Sequence, residues 1–247
     1  DPKAMPYGYY ISAEGAHAQS KRLDVIANNL ANVDTVGFKR DLAIFQARYA
    51  EAIQRQEVMP GMGTVNDVGG GILVRETKTD FAPGPMKHTG NPKDLAIRGE
   101  GFFLVENDGE QLLTRAGNFQ LNREGQLVTQ QGYAVLNESA APIFIDEQAG
   151  GPWQITDRGE IQQRGLRQQI AVVMPESLVS LKKVGHTMFR PEGPTEPVPL
   201  ARRNVATGYL EASGVEPTRA MTAMIEASRA IEANVRIMQT HDQMVGG

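Results

Sequence analysis

The chain has 247 residues, 40% of them hydrophobic and 22% charged, which is ordinary for a globular protein with one large or two small domains. Its net charge is −4, and basic residues are scattered among acidic ones, which argues against nucleic acid as a partner. There is no cysteine, so the composition excludes disulfides, thiolate nucleophiles and cysteine zinc sites. We find neither an apolar run of about 18 residues nor a secretory leader, and therefore expect no membrane insertion and no cleaved signal peptide.

The N-terminal segment is predicted to be an amphipathic helix. Apolar and small residues recur at alternating steps of three and four, the spacing of helices that pack in coiled coils, at Tyr9, Ala13, Ala16, Ser20, Leu23, Ala27 and Leu30. Such a stripe of small residues buries little area, at about 25 cal/mol per Å² of apolar surface, and does not hold a lone helix. We predict that it packs either against several other helices or against the middle of its own chain.

A second helix with the same alternation is predicted near the C-terminus. Its stripe consists of Met221, Met224, Ser228, Ile231, Val235 and Met238. The methionines are ordinary packing residues, and their pliable side chains would suit a helix that contacts more than one neighbour.

The sequence between the two helices changes to the pattern of a β protein. The glycine-rich run from Met59 to Ile72 predicts an extended connector. Beyond it, short apolar runs are broken by glycines, and Asp108-Gly109 between two such runs predicts a tight hairpin. Further strands are predicted at 168–174, 181–184 and 186–189, after which prolines at 191, 194, 197 and 199 are expected to end the sheet.

The middle of the chain contains an internal repeat. FQLNREGQLV from Phe119 aligns with WQITDRGEIQ from Trp153 at an offset of 34 residues. Alternating apolar positions and a shared turn glycine, Gly125 in one copy and Gly159 in the other, predict the same hairpin twice.

These patterns divide the chain into four segments. We predict a helical segment at 5–50, an extended glycine-rich connector at 51–80, a central β domain at 81–200, and a return segment with the second helix at 201–247. The fold class is mainly β, an irregular antiparallel sandwich or barrel-like domain with hairpins, flanked by N- and C-terminal helices that form a coiled-coil-like assembly core.

No group of residues predicts catalysis. His17, Ser20 and Asp24 have the helical spacing of a triad, but on a short helix face with no pocket we interpret this as coincidence. The four histidines lie far apart, so no metal site is expected, and the glycine-rich GEGF at 99–102 lacks the lysine and helix of a phosphate-binding loop. We therefore predict no enzyme activity and no cofactor.

Three segments resemble one protein family. LDVIANNLANVDTVGFKRD from Leu23 resembles the N-terminal signature L-x-x-x-x-N-N-x-A-N-x-x-T-x-G-F/Y-K of the bacterial flagellar rod and hook protein family. DLAIRGEGFFLV from Asp94 and LLTRAGNFQLNREGQLVTQQGY from Leu112 resemble its central motifs, and LEASGVEPTRAMTAMIEASRAIEANVRIMQTHDQM from Leu210 resembles its C-terminal helix. The sequence departs from the family pattern at Leu113, Gly214, Ser228 and Ile231, where the family usually has tyrosine, asparagine, glutamine and tyrosine.

The resemblance implies a structural subunit of the flagellar basal-body rod. Such a subunit would polymerise through its terminal helices into a hollow drive shaft in the periplasm, with itself and other rod or hook subunits as partners. It would leave the cell through the flagellar type III export apparatus without a cleaved signal peptide. The single β domain resembles that of the rod subunits, proximal or distal, and the short length favours the proximal rod.

The asparagine cluster poses a separate question, because asparagine is a poor helix former. We interpret Asn28, Asn29 and Asn32 as amides that fix the register between neighbouring chains, the alternative being caps and turns within one chain. Gly37 is predicted to end the helix, and Phe38 to anchor the chain against a neighbour or the β domain. The predicted assembly interface comprises Leu23, Ile26, Asn28, Asn29, Leu30, Asn32, Gly37, Phe38, Met221, Met224, Ile231, Val235 and Met238.

A second hypothesis from another class is a secreted carbohydrate-binding or hydrolytic β module with helical dimerisation arms. It depends on the acids Asp94, Glu100 and Glu106 near turns, and on Trp153 as a stacking platform for a sugar. A concave groove lined by aromatic residues and paired acids would support this hypothesis.

Overall fold

A computed structural model describes residues 7–47, 72–146, 153–163, 165–185 and 187–245, and the chain forms two compact units. The helical unit comprises residues 1–31, 41–80 and 216–247, and the β unit comprises residues 32–40 and 81–215. The mainly β architecture with a helix at either end is the predicted one.

The described residues of the helical unit form two long helices and a two-stranded ribbon. Helix α1 spans Tyr7–Ala31 and helix α2 spans Pro217–Val245. Strand β1 (Asp41–Ala47) pairs antiparallel with β2 (Ile72–Thr79), and the register shifts between Ile44 and Phe45. Residues 72–79 of the predicted connector are thus strand β2, while residues 51–71 lie outside the described part of the chain.

The two helices pack antiparallel through small residues. A Cβ on Gly8 would lie 2.9 Å from Nε2 of His241, and one on Gly15 would lie 3.2 Å from Oδ1 of Asn234. Ala227 of α2 is fully buried. The backbones therefore approach closely where glycine leaves room.

The buried side of α1 differs from the predicted stripe. Ser20 and Ala27 of that stripe are exposed, whereas Ala18 and Asn29, on another side of the helix, are buried. The reason is that alanines and glycines lie on several sides of α1, so the spacing of its larger residues does not determine which side is covered.

Helix α1 ends at Ala31, and the prediction that Gly37 ends it is therefore wrong. A turn follows in which the Thr35 N–H donates to the Asn32 carbonyl at 3.2 Å and the Thr35 hydroxyl to the Asn32 side chain at 3.2 Å. Asparagine stabilises such turns more readily than helix, which explains the early end. Gly37 has φ of +68° and lies beyond this turn, within the β unit.

The β unit consists of short antiparallel strands. The main sheet has the order β14-β15-β6-β5-β9-β8-β7, with β13 joined to β5 and β16, and smaller sheets have the orders β10-β11-β12, β17-β4 and β18-β3. The two end strands of this order, β14 and β7, do not pair with each other, so the described strands form no closed barrel. The strands are β3 (Met86–His88), β4 (Leu95–Ile97), β5 (Phe102–Asn107), β6 (Glu110–Thr114), β7 (Gln120–Leu121), β8 (Leu127–Val128), β9 (Ala134–Val135), β10 (Gln154–Ile155), β11 (Glu160–Gln163), β12 (Leu166–Gln169), β13 (Val172–Pro175), β14 (Leu181–Val184), β15 (Met188–Pro191), β16 (Thr195–Pro197), β17 (Val205–Thr207) and β18 (Tyr209–Glu211).

The core lies on both faces of strand β5. Phe103 and Val105 belong to the larger cluster, whose other members come from most strands of the unit. Phe102 and Leu104 face a smaller cluster in which the rings of Phe102 and Phe189 make an edge-on contact at 5.9 Å. Because β5 is buried on both faces, its sequence is continuously apolar rather than alternating.

The predicted hairpins are confirmed. Asp108 and Gly109 both have positive φ, 49° and 82°, in the two-residue turn between β5 and β6. In the repeat, Leu121 pairs with Leu127 and, 34 positions later, Ile155 pairs with Ile161. Gly125 and Gly159 have φ of 77° and 76°, the left-handed conformation that their turns require.

The predicted end of the β domain lies too early. Pro191 and Pro197 fall within β15 and β16, and strands β17 and β18 then pair with β4 and β3, so the unit extends to Val215. Proline is tolerated where a strand does not need to donate an N–H. The single strand predicted at 168–174 is broken into β12 and β13, and of the strand predicted at 186–189, His186 lies outside the described residues.

Candidate assembly surfaces and the motif junction

The three family-like motifs meet inside the β unit in a buried ionic triad. Lys39 comes from the N-terminal motif, Arg115 from the central one and Glu211 from the C-terminal one. The Lys39 ammonium lies 2.6 Å from Oε1 of Glu211, and Nη1 of Arg115 lies 3.3 Å from Oε2. Their side chains are 1%, 6% and 2% exposed. Charges buried this deeply are stable only when paired and hydrogen-bonded.

Backbone groups complete the partners of the triad. Lys39 also donates to the Ala82 carbonyl at 2.8 Å, and the Gly84 N–H donates to Oε1 of Glu211 at 2.9 Å. Arg115 donates to the Gly99 carbonyl at 2.7 Å and stacks its guanidinium on the ring of Phe102. The triad therefore connects several loops of the β unit.

Two cations face one carboxylate in this triad. Burial lowers the pKa of Arg115 from its ordinary value, and Glu211 acts in the opposite direction. Nε of Arg115 is buried with no hydrogen-bond partner among the described residues. The Glu211 carboxylate therefore offsets part of the cost of burying the charges of Lys39 and Arg115.

Gly37 and Phe38 are positioned beside the triad. The Gly37 N–H donates to the Glu211 carbonyl at 2.8 Å, and a Cβ on Gly37 would lie 2.4 Å from the backbone nitrogen of Ala116. Phe38 is 1% exposed, and the Lys183 ammonium lies 4.1 Å from the centre of its ring. The structure thus places Phe38 in the β unit of its own chain.

The asparagines of the cluster have different surroundings. Nδ2 of Asn29 donates to the Asp41 carbonyl at 2.7 Å, and the Asp41 N–H donates to Oδ1 of Asn29 at 2.8 Å. This pair of bonds joins the end of α1 to the start of β1. Asn29 therefore bonds within its own chain, as in the alternative to a role between chains. Asn32 is buried in the turn after the helix, whereas Asn28 is exposed on α1.

Helix α2 carries apolar side chains on its solvent side. Of the predicted interface residues, Met221 and Val235 are exposed, while Leu23, Ile26, Leu30, Met224, Ile231 and Met238 are half-buried. Ile225, Ile237 and Met244, which the predicted interface does not include, are also exposed. Ile225 lies four residues after Met221, and Met244 lies seven after Ile237. Residues at these spacings share a helix face, so the sequence contained a signal for this apolar surface.

The residues behind the carbohydrate hypothesis have local structural roles. The Asp94 carboxylate accepts hydrogen bonds from the Thr89 hydroxyl at 2.6 Å and from the Asn91 amide at 3.2 Å. Trp153 packs against the main core cluster instead of presenting a platform, and the exposed Glu100 faces Arg202. These observations give the hypothesis no support.

Nor do the described residues show a metal-binding cluster, and no helix among them is sufficiently long and apolar to cross a membrane. His17 and Ser20 are both exposed. The charged motif residues lie in the interior of the β unit, and helix α2 exposes apolar side chains. This is the organisation of a structural building block.

Comparison with known proteins identifies the family. Residues 10–39 match the model of the flagella basal body rod protein, residues 96–163 the flagellar hook protein FlgE/F/G D1 domain, and residues 206–246 the flagellar basal body rod FlgEFG protein C-terminal region. The chain is 34% identical over 235 residues to the flagellar basal-body rod protein FlgF of Caulobacter vibrioides, covering 95% of this chain and 93% of that protein. It is 34% identical over 252 residues to FlgG of the same organism, covering 95% of each, and 32% identical over 254 residues to FlgG of Bacillus subtilis, covering 96% and 95%.

The chain belongs to the flagellar basal-body rod protein family. It is a structural subunit of the bacterial flagellar basal body and not an enzyme, as the family and relatives indicate. Family membership also implies assembly with other rod and hook subunits.

Proposed function

We propose that this subunit polymerises through its two terminal helices into the hollow shaft of the rod, in a coiled-coil-like core. The observation that carries the proposal is the apolar surface of α2: Met221 is 53% and Ile225 is 56% exposed, one helical turn apart on the same side. Exposed apolar side chains at this spacing stabilise a helix once a neighbouring subunit covers them.

The packing of α1 on α2 supports the same proposal. The contact depends on glycine and alanine and buries few large side chains, so it leaves apolar surface of both helices available to further helices. The half-buried Leu23, Ile26 and Leu30 on α1, with Met224, Ile231 and Met238 on α2, complete the proposed interface.

The alignments with FlgF and FlgG differ in length, and this difference supports a place like that of FlgF in the rod. The alignment with FlgG of Caulobacter vibrioides has 252 positions, more than the 247 residues of this chain, so it requires gaps, whereas that with FlgF covers 95% of the chain in 235 positions. We infer that the subunit occupies a FlgF-like place, and the short length favours the proximal rod. Export through the flagellar type III apparatus and a periplasmic location follow from this proposal.

A pair of double variants tests the helix-mediated assembly. Replacing Met221 and Ile225 by Glu puts two charges on the proposed interface, and replacing Thr218 and Thr222 by Glu puts the same charges, at the same spacing, on polar exposed positions of the same turns. We expect only the apolar-face variant to lose incorporation into basal bodies and motility, while circular dichroism shows the same helix content for both.

Normal basal bodies and motility in the Met221→Glu/Ile225→Glu variant would refute polymerisation through this face of α2. Equal loss in both variants would show that charge anywhere on these turns is harmful and would also contradict the proposal.

A further inference from the structure

A tight turn in the β unit presents an apolar tip with acidic neighbours. The turn follows β13 and contains a 3₁₀ helix at Leu178–Ser180, in which the Val179 N–H donates to the Ser177 hydroxyl and the Ser180 hydroxyl donates to the Ser177 carbonyl at 2.7 Å. Val179 is 79% exposed. Glu176 precedes the turn, and the Glu192 N–H donates to the Ser180 carbonyl, so two exposed acidic residues lie beside the aliphatic ones. We name this feature the acidic tip.

The same unit contains a cleft of about 480 Å³ with the opposite character. Its lining includes Arg98, Arg158 and Arg203 with a single carboxylate, Asp157, and apolar surface from Leu200, Ala201, Ala206 and Tyr209. A cavity of this size is in the range of ~300–1,000 Å³ that admits small ligands or side chains. We name it the arginine cleft.

The arginine cleft is held in shape by its own contacts. Nε of Arg203 donates to the Val198 carbonyl at 2.6 Å, and Nη2 lies 2.6 Å from the Glu138 carboxylate. The guanidinium of Arg98 lies 5.2 Å from the centre of the Tyr209 ring. Arg203 is buried and neutralised in this way, whereas Arg98 and Arg158 are exposed at the cleft.

The tip and the cleft lie at opposite ends of one strand pair. Strands β13 and β16 pair from Val173 opposite Pro197 to Pro175 opposite Thr195, and the acidic tip follows Pro175. At the other end the Val198 N–H donates to the Val172 carbonyl, next to Leu200 and Arg203 of the cleft. A strand rises about 3.3 Å per residue, which holds the two features on the order of 10 Å apart or more.

We propose that the acidic tip of one subunit docks in the arginine cleft of a second copy of this chain. Glu176 would face Arg98 and Arg158, while Leu178 and Val179 contact Leu200 and Ala201 in a lining that is otherwise mostly polar. Glu192, which also acts on Arg190 of its own chain, would add to the negative side of the contact. Contact between two different surfaces of identical subunits is heterologous, and repetition of such a contact gives an open helical assembly. The inference rests on the proposed rod function and adds a contact made by the β units.

Cysteine cross-linking tests this contact cleanly, since the chain contains no cysteine. Val179→Cys and Ala201→Cys would be combined in one chain and expressed in motile cells, and isolated basal bodies would be oxidised mildly. A disulfide requires Cβ atoms about 4 Å apart, so only a close contact is captured. We expect a ladder of covalent multimers of this subunit, with none from either single variant.

The matched control replaces Ala201→Cys by Arg123→Cys, an exposed site at the tip of the β7-β8 hairpin. Basal bodies that contain the Val179→Cys/Ala201→Cys variant without a ladder would overturn the proposal, as would an equal ladder from the control. Cross-links only to a different rod protein would overturn the choice of a second copy. Absence of the wild-type chain from basal bodies would instead refute the proposed function.

Charge reversal gives a second measurement that does not depend on disulfide geometry. Glu176→Arg and Arg158→Glu should each lower the yield of the cross-linked ladder at least several-fold, because each places like charges across the contact. Combining the two substitutions should restore most of the yield. A combined variant no better than either single one would contradict the proposed pairing.

Discussion

At the scale of residues, the charged positions of the family motifs are used to hold the β unit together. Glu211 lies 172 positions from Lys39 and 96 from Arg115 in sequence, yet it contacts both. The resemblance singled out all three segments, but no local pattern indicated that these residues pair. Contacts over such separations depend on the complete fold and are beyond periodicity or spacing.

The first prediction concerns the carboxylate shared by the two cations. Glu211→Gln keeps the shape of the side chain but removes the buried carboxylate that contacts both Lys39 and Arg115, so we expect a loss of about 3 kcal/mol or more in the free energy of unfolding. Urea unfolding followed by the fluorescence of Trp153 would measure it.

Glu110→Gln provides the control, because it removes an ion pair to Arg190 that is exposed to solvent. The Arg190 hydrogen bond lowers the pKa of Glu110, but solvent screens this pair, and we expect only a slight change. Similar losses for both variants would mean that burial of the triad adds nothing to stability.

The second prediction concerns Asn28 and Asn29, which have different surroundings in the structure. Asn29→Ala removes both bonds to the backbone of Asp41, and at about 1 kcal/mol for each it should weaken the attachment of α1 to β1 within the helical unit even though alanine favours helix. Asn28→Ala replaces an exposed residue by a better helix former, so its effect on the isolated chain should be smaller than that of Asn29→Ala.

Thermal unfolding of the purified variants, with motility of cells that carry them, distinguishes the two roles. If Asn28 fixes the register between subunits, its alanine variant should be stable but poorly motile. Full motility of Asn28→Ala would leave the within-chain bonds of Asn29 as the reason for this part of the motif.

At the scale of elements, hairpins were predictable and helix faces were not. The repeated hairpin depends on residues within ten positions of one another: alternating apolar residues and a glycine at the left-handed position of each turn. The buried side of α1 depends instead on where α2 approaches, and glycines at positions 8 and 15 permit that approach without any apolar signal.

The third prediction concerns the turn that carries the chain from α1 into the β unit. Gly37→Ala would strain a backbone at φ of +68° by about 1–3 kcal/mol, and its Cβ would also collide with the backbone of Arg115 and Ala116. Gly109→Ala is the matched control, because φ is +82° but no atom lies within 4 Å of the added Cβ.

Chemical denaturation should therefore show a larger loss of stability for Gly37→Ala than for Gly109→Ala. The difference reports the close approach at Gly37, since both variants carry backbone strain. Equal losses would show that the chain relaxes around the added methyl group.

At the scale of the whole molecule, the two units do not follow the order of the chain. Each is assembled from separate stretches, and residues 32–40 belong to the β unit although they follow directly on α1. A change in periodicity after the glycine-rich run at 59–72 led to the prediction of a boundary at residue 80, and the compact units divide between Asp80 and Phe81. The boundary at Val215 was not predicted, because β17 and β18 are only three residues each and pair with strands far back in the chain.

The fourth prediction compares the two units in a dilute monomer. The helical unit buries mostly small residues between its helices, so amides of Leu23–Leu30 and Met224–Met238 should exchange rapidly, while those of strands β5 and β6 should be protected. Hydrogen exchange read out by mass spectrometry on a verified monomer would measure this contrast. Protection of both helices equal to that of β5 would show that they are stable without neighbours and would contradict the prediction.

The position of Glu211 also has a consequence for when the β unit can form. A chain that emerges from the ribosome N-terminus first presents Lys39 early and Arg115 next, but Glu211 only after 210 of the 247 residues. Until then two buried cations would lack their carboxylate, and β3 and β4 would lack the partner strands β18 and β17. Completion of the β unit is therefore deferred until most of the polypeptide has emerged, so its folding is a late step in the appearance of the chain.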